Sequence, residues 1–278
     1  MHQKALYNAV KTPKLLVLLG LVICLFTACY EKAATSKNVF SYNEATGIAT
    51  LDPAFAKNQS IMWAVHQIYN TLVEIDSNLN IVPSLAKSWE VSDDRKTYRF
   101  HLRTNVYFTP DEAFKGGNGR KMVAADVAYS LGRIIDKTVA SSGAWIFNGR
   151  VDSVMPFVVI NDSTFELRLQ RPFHPIMGIL STQYCSVVPK EVVEKYGKDF
   201  RRHPCGTGPF LLKSWDEGEA MILHKNKNYW ELDSAGVRLP YLDAVKINFF
   251  DNKATEFLQF RQGKLSFVND IDASFKDE

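Results

Sequence analysis

Two hydrophobic periods alternate along this chain, and the places where one gives way to the other mark its elements. Val39-Phe40-Ser41-Tyr42 alternates between two sides and predicts a strand. In Leu51-Asp52-Pro53, the proline has no N–H to give to a ladder and ends the pairing. Ile61, Val65, Ile68 and Leu72 then recur on one helical face, with Ser60 the expected N-cap. From Ile75 the pattern turns to short extended pieces. Trp89-Glu90-Val91, the turn Ser92-Asp93-Asp94-Arg95, and Tyr98, Phe100 and Leu102 on one side make a hairpin with one buried face. Asp111 to Lys121 is rich in glycine and charge and reads as a loop, whereas Ala124 to Ile135 carries Val127, Leu131 and Ile134 on a helical stripe.

Beyond that helix, Ser141-Ser142-Gly143-Ala144-Trp145 is a loop of small residues holding up a large aromatic, and Thr164 to Leu169 alternates as a strand. Val187-Val188-Pro189 leads into a short helix at Glu191 to Tyr196, and Gly206-Thr207-Gly208-Pro209-Phe210 turns the chain into a strand from Leu211 to Trp215. Further strands are expected at Ala220 to His224 and Val245 to Phe250, a helix at Ala254 to Gln262, and a last strand at Leu265 to Val268. The fold class is mixed α/β. No segment repeats with a period of roughly 20–50 residues, which argues against a solenoid or propeller.

One stretch has neither period. Leu15 to Ala28 is continuously apolar, is preceded by Lys4, Lys11 and Lys14, and stops at small residues followed by Cys29. That is the layout of an export signal, too short to span a bilayer comfortably. The expected mature chain begins at Cys29, acylated there and held to the membrane by its acyl chains. Phe26 stands where such cleavage motifs usually carry leucine, so a plain cleaved signal or a single membrane anchor is the alternative. Tyr30 to Lys37, small and polar, reads as a tether.

Removing the three signal lysines leaves 30 basic side chains against 30 acidic ones, and no local basic stripe exists for nucleic acid. With Cys24 in the signal and Cys29 assigned to lipid, only Cys185 and Cys205 concern the fold. Two buried free thiols are expected there, with a bridge the alternative that an export compartment permits. His66, His101, His174, His203 and His224 are scattered without metal-ligand spacing, so no metal site is expected. Gly206-Thr207-Gly208 lacks the Lys-Ser/Thr ending of a phosphate loop, and Asp93-Asp94 is turn chemistry. With no nucleophile, acid and base to name together, the chain reads as a binding protein and not an enzyme, with no cofactor.

The order of motifs carries a more specific likeness. Leu51-Asp52-Pro53, Ile68-Tyr69-Asn70-Thr71-Leu72-Val73, Val82-Pro83-Ser84-Leu85-Ala86-Lys87-Ser88-Trp89-Glu90 and Thr97-Tyr98-Arg99-Phe100-His101-Leu102-Arg103 come first. Ala124-Ala125-Asp126-Val127, Gly206-Thr207-Gly208-Pro209-Phe210, Asn228-Tyr229-Trp230 and Phe260-Arg261-Gln262-Gly263 follow. In this order they closely resemble the extracellular solute-binding proteins of family 5, which serve ABC importers and include peptide- and nickel-binding members.

The resemblance implies a periplasmic-binding-protein-like clamshell of type II. Residues 39–69 and 191–270 would build lobe I, 70–190 an extra subdomain, and 271–278 the start of a crossover toward a second lobe that the sequence does not contain. On this expectation the chain is a truncated reading frame or a fragment. Signal peptide and tether would occupy 1–28 and 29–38. The implied ligand contacts are Lys57, Asn58 and Gln59, just after Leu-Asp-Pro, and Trp145 from the small-residue loop. The implied function is capture of peptides by a monomeric, membrane-anchored lipoprotein, periplasmic or on the cell surface, and delivery to an ABC permease and ATPase. A nickel chelate, haem or oligosaccharide as ligand, or a receptor or adhesin on the same scaffold, is the alternative.

Overall fold

The computed structural model describes residues 38–275. The export signal, Cys29 and most of the tether lie outside them. Along the chain come β1 (Val39–Asn43), α1 (Gln59–Ile68), β2 (Val73–Ile75), β3 (Ile81–Pro83), β4 (Ala86–Val91) and β5 (Thr97–Leu102). Next are α2 (Ala124–Ile135), β6 (Phe157–Asn161), β7 (Thr164–Arg168), α3 (Ile176–Leu180) and α4 (Lys190–Tyr196). The chain ends with β8 (Phe210–Asp216), β9 (Ala220–Lys225), β10 (Ala244–Asn248) and α5 (Lys253–Arg261).

These strands form two four-stranded sheets and a small β2–β3 hairpin. One sheet is ordered β4-β5-β7-β6 and is antiparallel throughout. Its inner face carries Tyr98, Phe100 and Leu102 from β5 and Phe165 and Leu167 from β7, and Phe100 sits opposite Phe165 with ring centroids 6.2 Å apart. Alternation with period two puts these on one side, where α2 covers them with Val127, Leu131 and Ile134. Each such side chain, fully buried, contributes roughly 1.5–3 kcal/mol. The other sheet is ordered β1-β10-β9-β8, with β1 parallel to β10 and the remaining pairs antiparallel. A connected cluster of buried apolar side chains runs through both sheets.

Three local expectations differ from the structure. The N-cap of α1 is Asn58, not Ser60: its Oδ1 accepts from the Ile61 N–H at 3.1 Å, the bond a cap side chain makes to the third helical residue. The helix also stops at Ile68, because Tyr69 is extended, so Leu72 is buried from outside it. Leu265–Val268 is not a strand. Among the described residues its hydrogen bonds to β1 are those of Ser266, whose N–H donates to the Ser41 carbonyl at 2.6 Å and whose Oγ accepts from the Ser41 N–H at 3.1 Å, and no ladder forms. Both thiols are buried and unbridged, and burial pushes the Cys185 and Cys205 thiols up to about 12.

Gly206 and Gly208 pass so close to the C-terminal end of α1 that a Cβ on either would lie 2.1–2.6 Å from the Ile68 carbonyl oxygen. The Gly208 N–H donates to that same oxygen at 2.9 Å, satisfying one of the carbonyls a helix leaves open at its end. The glycines are there for close backbone approach, and neither has a positive φ.

Candidate functional site

The segment leading into α1 is fixed from beneath. Asp52 accepts both guanidinium N–H groups of Arg133 from α2, at 3.0 and 2.7 Å, and both side chains are buried. Bidentate geometry is the arrangement in which a buried ion pair offsets the desolvation of its charges. The same carboxylate accepts from the Ala54 N–H at 3.0 Å and holds the single turn Pro53–Phe55 in place. Ser141, from the small-residue loop, donates to the Ala54 carbonyl at 2.6 Å. Beside this pair, burial first and then the Asp52 charge raise the Tyr69 phenol well above its ordinary pKa, so it stays protonated.

On that footing a groove of about 430 Å³ opens along the first turns of α1. The structure brings Lys57, Asn58 and Gln59 together on its rim and adds Met62, Trp63 and His66 from the helix and Gln183 from the opposite side. Gln183 Nε2 lies 3.3 Å from His66 Nδ1, bridging the two walls. Trp63 is held edge-on between Tyr42, at 6.1 Å, and Phe267, at 6.3 Å, which fixes its ring. Among the described residues Lys57 makes no ion pair, so its ammonium is available to an anionic group. Asn58 has its Oδ1 committed to capping, accepting from both Ile61 N–H and Ser60 Oγ at 3.1 Å.

Trp145 is on a short turn, Ala144–Ile146, with 61% of its surface exposed, and it is outside the lining of this groove. Its loop is nonetheless tied to the same neighbourhood. Ser142 Oγ is 3.4 Å from the Tyr184 hydroxyl, and Tyr184 is in the turn Gln183–Cys185 that supplies the groove's far wall.

A buried amide, Asn70, holds together segments that are far apart in sequence. Its Oδ1 accepts from Thr207 Oγ1 at 3.0 Å and from the Trp230 indole N–H at 3.2 Å, while its Nδ2 donates to the Tyr229 hydroxyl at 3.2 Å. Arg103 stacks its guanidinium 4.6 Å from the Trp230 ring centroid and donates to the Ser84 carbonyl at 2.7 Å. Five of the sequence motifs therefore converge on one polar cluster just past the end of α1. In a low-dielectric interior such a satisfied network specifies one packing arrangement.

A model of the bacterial extracellular solute-binding proteins, family 5 Middle, matches residues 80–278. The chain belongs to this family. The probable ABC transporter periplasmic-binding protein SapA of Escherichia coli is 32% identical over 233 residues, covering 78% of this chain and 42% of SapA. The glutathione-binding protein GsiB of Escherichia coli is 27% identical over 256 residues, covering 91% of this chain and 45% of GsiB. Among solved structures, the periplasmic binding protein DppA of Helicobacter pylori in complex with the peptide STSA superposes with a TM-score of 0.76 at 26% identity. That match covers 86% of this chain and 48% of DppA. The family-5 chain thus spans about half the length of the proteins it resembles, and its mixed α/β architecture is that of periplasmic binding proteins. Among the described residues no helix is long and apolar enough to cross a membrane.

Sequence reasoning missed Met62, Trp63, His66 and Gln183 in this family-5 groove. The helical period marks Ile61, Val65 and Ile68 as core, and Trp63 and His66 then fall off that face by elimination, so part of the signal was present. Gln183 had none, since only the packing of its turn against Pro53–Phe55 brings it to α1.

Proposed function

We propose that the groove at the start of α1 is one wall of a solute cleft, and that this chain serves an ABC importer by capturing short peptides and delivering them to a permease and its ATPase. The observation that carries the reading is the combination on that wall. An unpaired ammonium at Lys57 suits a terminal or side-chain carboxylate. Gln59 and Gln183 offer amides to a peptide backbone, and the fixed Trp63 ring with Met62 offers apolar area. No nucleophile is paired with a base there, and His66 meets an amide. The relatives' names point the same way, to glutathione in one and a bound peptide in another.

In this reading the part of the relatives' length that this chain does not match supplies the opposing wall. Trp145 reaches the ligand from the small-residue loop. Lobe I comprises the sheet of β1 and β8–β10, and the subdomain the sheet of β4–β7. Cys29 carries the acyl anchor, which leaves a monomeric body outside the cytoplasm.

Isothermal titration of the native gene product with peptides of two to five residues tests it. Binding in the micromolar range is expected, weakened about tenfold by Trp63→Ala, the loss of roughly 1.4 kcal/mol of contact. Stabilisation by a nickel chelate, haem or an oligosaccharide with no response to any peptide would replace the peptide reading. Trp145→Ala with unchanged affinity removes that residue, and a Cys29→Ser protein that stays in the membrane fraction rejects the acyl anchor.

A further inference from the structure

A second cavity, of about 500 Å³, shares no lining residue with the α1 groove. Its walls come from the loop after β5 and from the connection between β9 and β10. The Thr109 N–H donates to the Gly206 carbonyl at 2.9 Å and the Asn226 N–H to the Pro209 carbonyl at 2.8 Å, so both walls are tied to the same short segment.

The lining has an unusual balance of chemistry. Asn105, Asn118 and Asn228 each present an exposed side-chain amide with no hydrogen-bond partner among the described residues. The Tyr107 ring, 52% exposed, lines the same cavity. Trp230 lines the cavity with its indole N–H already satisfied by Asn70, and Arg238 is held by donating to the Tyr229 carbonyl. The lining contains no carboxylate.

The backbone that carries two of these amides, at Asn118 and Asn228, is fixed by its neighbours. The Asn228 N–H donates to Asn226 Oδ1 at 3.0 Å, which sets the turn that carries it. Asn118 precedes Gly119, whose backbone lies so close to Phe108 that an added Cβ would be 1.8 Å from the Phe108 carbonyl oxygen. Phe108 in turn donates its N–H to the Arg120 carbonyl at 3.0 Å. At these two positions a ligand has side-chain rotamers to order but no backbone to move, which lowers the cost of binding.

We propose that this cavity is a saccharide-binding site, distinct from and independent of the proposed solute cleft. A side-chain amide offers a donor and an acceptor side by side, as a pair of neighbouring sugar hydroxyls requires. An exposed aromatic face receives the C–H face of a pyranose ring through weak C–H contacts and apolar burial. With no carboxylate in the wall, a cationic ligand or a metal ion has nothing to pair with. Arg238 further permits a sugar bearing a carboxylate.

Saturation-transfer NMR on the full chain, with cellotriose, chitotriose and trigalacturonate as probes at millimolar concentration, tests the site. Transfer is expected to at least one trisaccharide, strongest at the C–H protons of one ring face. Tyr107→Ala and Asn118→Ala, both at exposed positions, are each expected to weaken it at least tenfold with the thermal melting curve unchanged, and Trp63→Ala is expected to leave it intact. The proposal is overturned if no probe receives magnetisation, if transfer persists in both cavity variants, or if it vanishes in Trp63→Ala, which would move the sugar to the α1 groove.

Discussion

The two four-stranded sheets are built on opposite principles. The β4–β7 sheet is drawn from one stretch, residues 86–168, and each of its strands pairs antiparallel with its neighbour around an aromatic face. The β1/β8–β10 sheet must bring the two ends of the described chain together, with Asn38 and Asp243, 205 positions apart, exchanging hydrogen bonds of 3.0 and 2.8 Å at its parallel edge. Closing so long a loop costs conformational entropy before any contact rewards it. The edge accordingly carries a buried polar clasp. Asn43 exchanges two bonds with the Phe250 backbone at 2.9 and 2.7 Å, and Asn248 Nδ2 donates to Ser41 Oγ and the Tyr42 carbonyl. Local pairing can rest on apolar area alone; here the long-range pairing has directional bonds that fix its register.

The largest perturbation of this contrast is Phe165→Ala. Deleting a fully buried ring from the centre of the local sheet should cost about 3–5 kcal/mol, read from urea unfolding. A cost near 1 kcal/mol would mean that the face collapses around the cavity and that its aromatic packing is less demanding than described.

Next comes Asn43→Ala, which strands the Phe250 N–H and should cost roughly 1–3 kcal/mol. Its diagnostic is hydrogen exchange. Amides of β1 and β10 should exchange faster while those of β5 and β7 keep their protection. Equal loss of protection in both sheets would show that they unfold as one unit and dissolve the contrast.

A smaller effect concerns the outer face of the local sheet. Burial alone would raise the Glu166 carboxyl, but hydrogen bonds and charge from Arg168 and Arg99 outweigh it and hold the pKa below the usual range. A depressed folded-state pKa contributes stability that is complete above the unfolded value, about 4.3, and is lost as pH falls through the lower folded value. The stability gap between the native protein and Glu166→Gln should thus be of order 1–2 kcal/mol at neutral pH and close in acid below about pH 4. A gap that stays constant to pH 3 would remove the ion-pair explanation.

The smallest effect is expected at the exposed contact between His101 and Glu90, 3.0 Å apart in neighbouring strands. Glu90→Ala should change stability by less than about 0.5 kcal/mol, because solvent screens the pair. A larger loss would give the sheet's surface charges a weight that the contrast assigns only to its interior.

Much of the local architecture was legible before any coordinates. Tyr98, Phe100 and Leu102 announced their buried face by alternation, and Val127, Leu131 and Ile134 theirs by helical spacing. Where the reading slipped, the competing element was non-local or geometric. Leu265–Val268 has strand-forming residues but only one backbone bond to β1, and Asn58 displaced Ser60 as cap because its Oδ1 reaches the third helical N–H. The site was legible in part. Lys57, Asn58 and Gln59 do share a groove, while Gln183 joins it only through packing.

What the amino-acid order determined by itself was most of the helices and strands, though not β6 or α3, with the faces of the periodic ones and the motifs that resemble the family, because those depend on patterns over a few residues. What tertiary structure alone decided was which distant side chains meet. Asn70 finds Thr207, 137 positions on, and Trp230, 160 positions on, only once β8 and β9 have folded back beside α1. The same closure brings together the walls of the second cavity, whereas the α1 groove is completed by the Gln183 turn packing on Pro53–Phe55. The walls of both come from segments whose proximity is set by sheet topology and core packing, which no local pattern of side chains encodes.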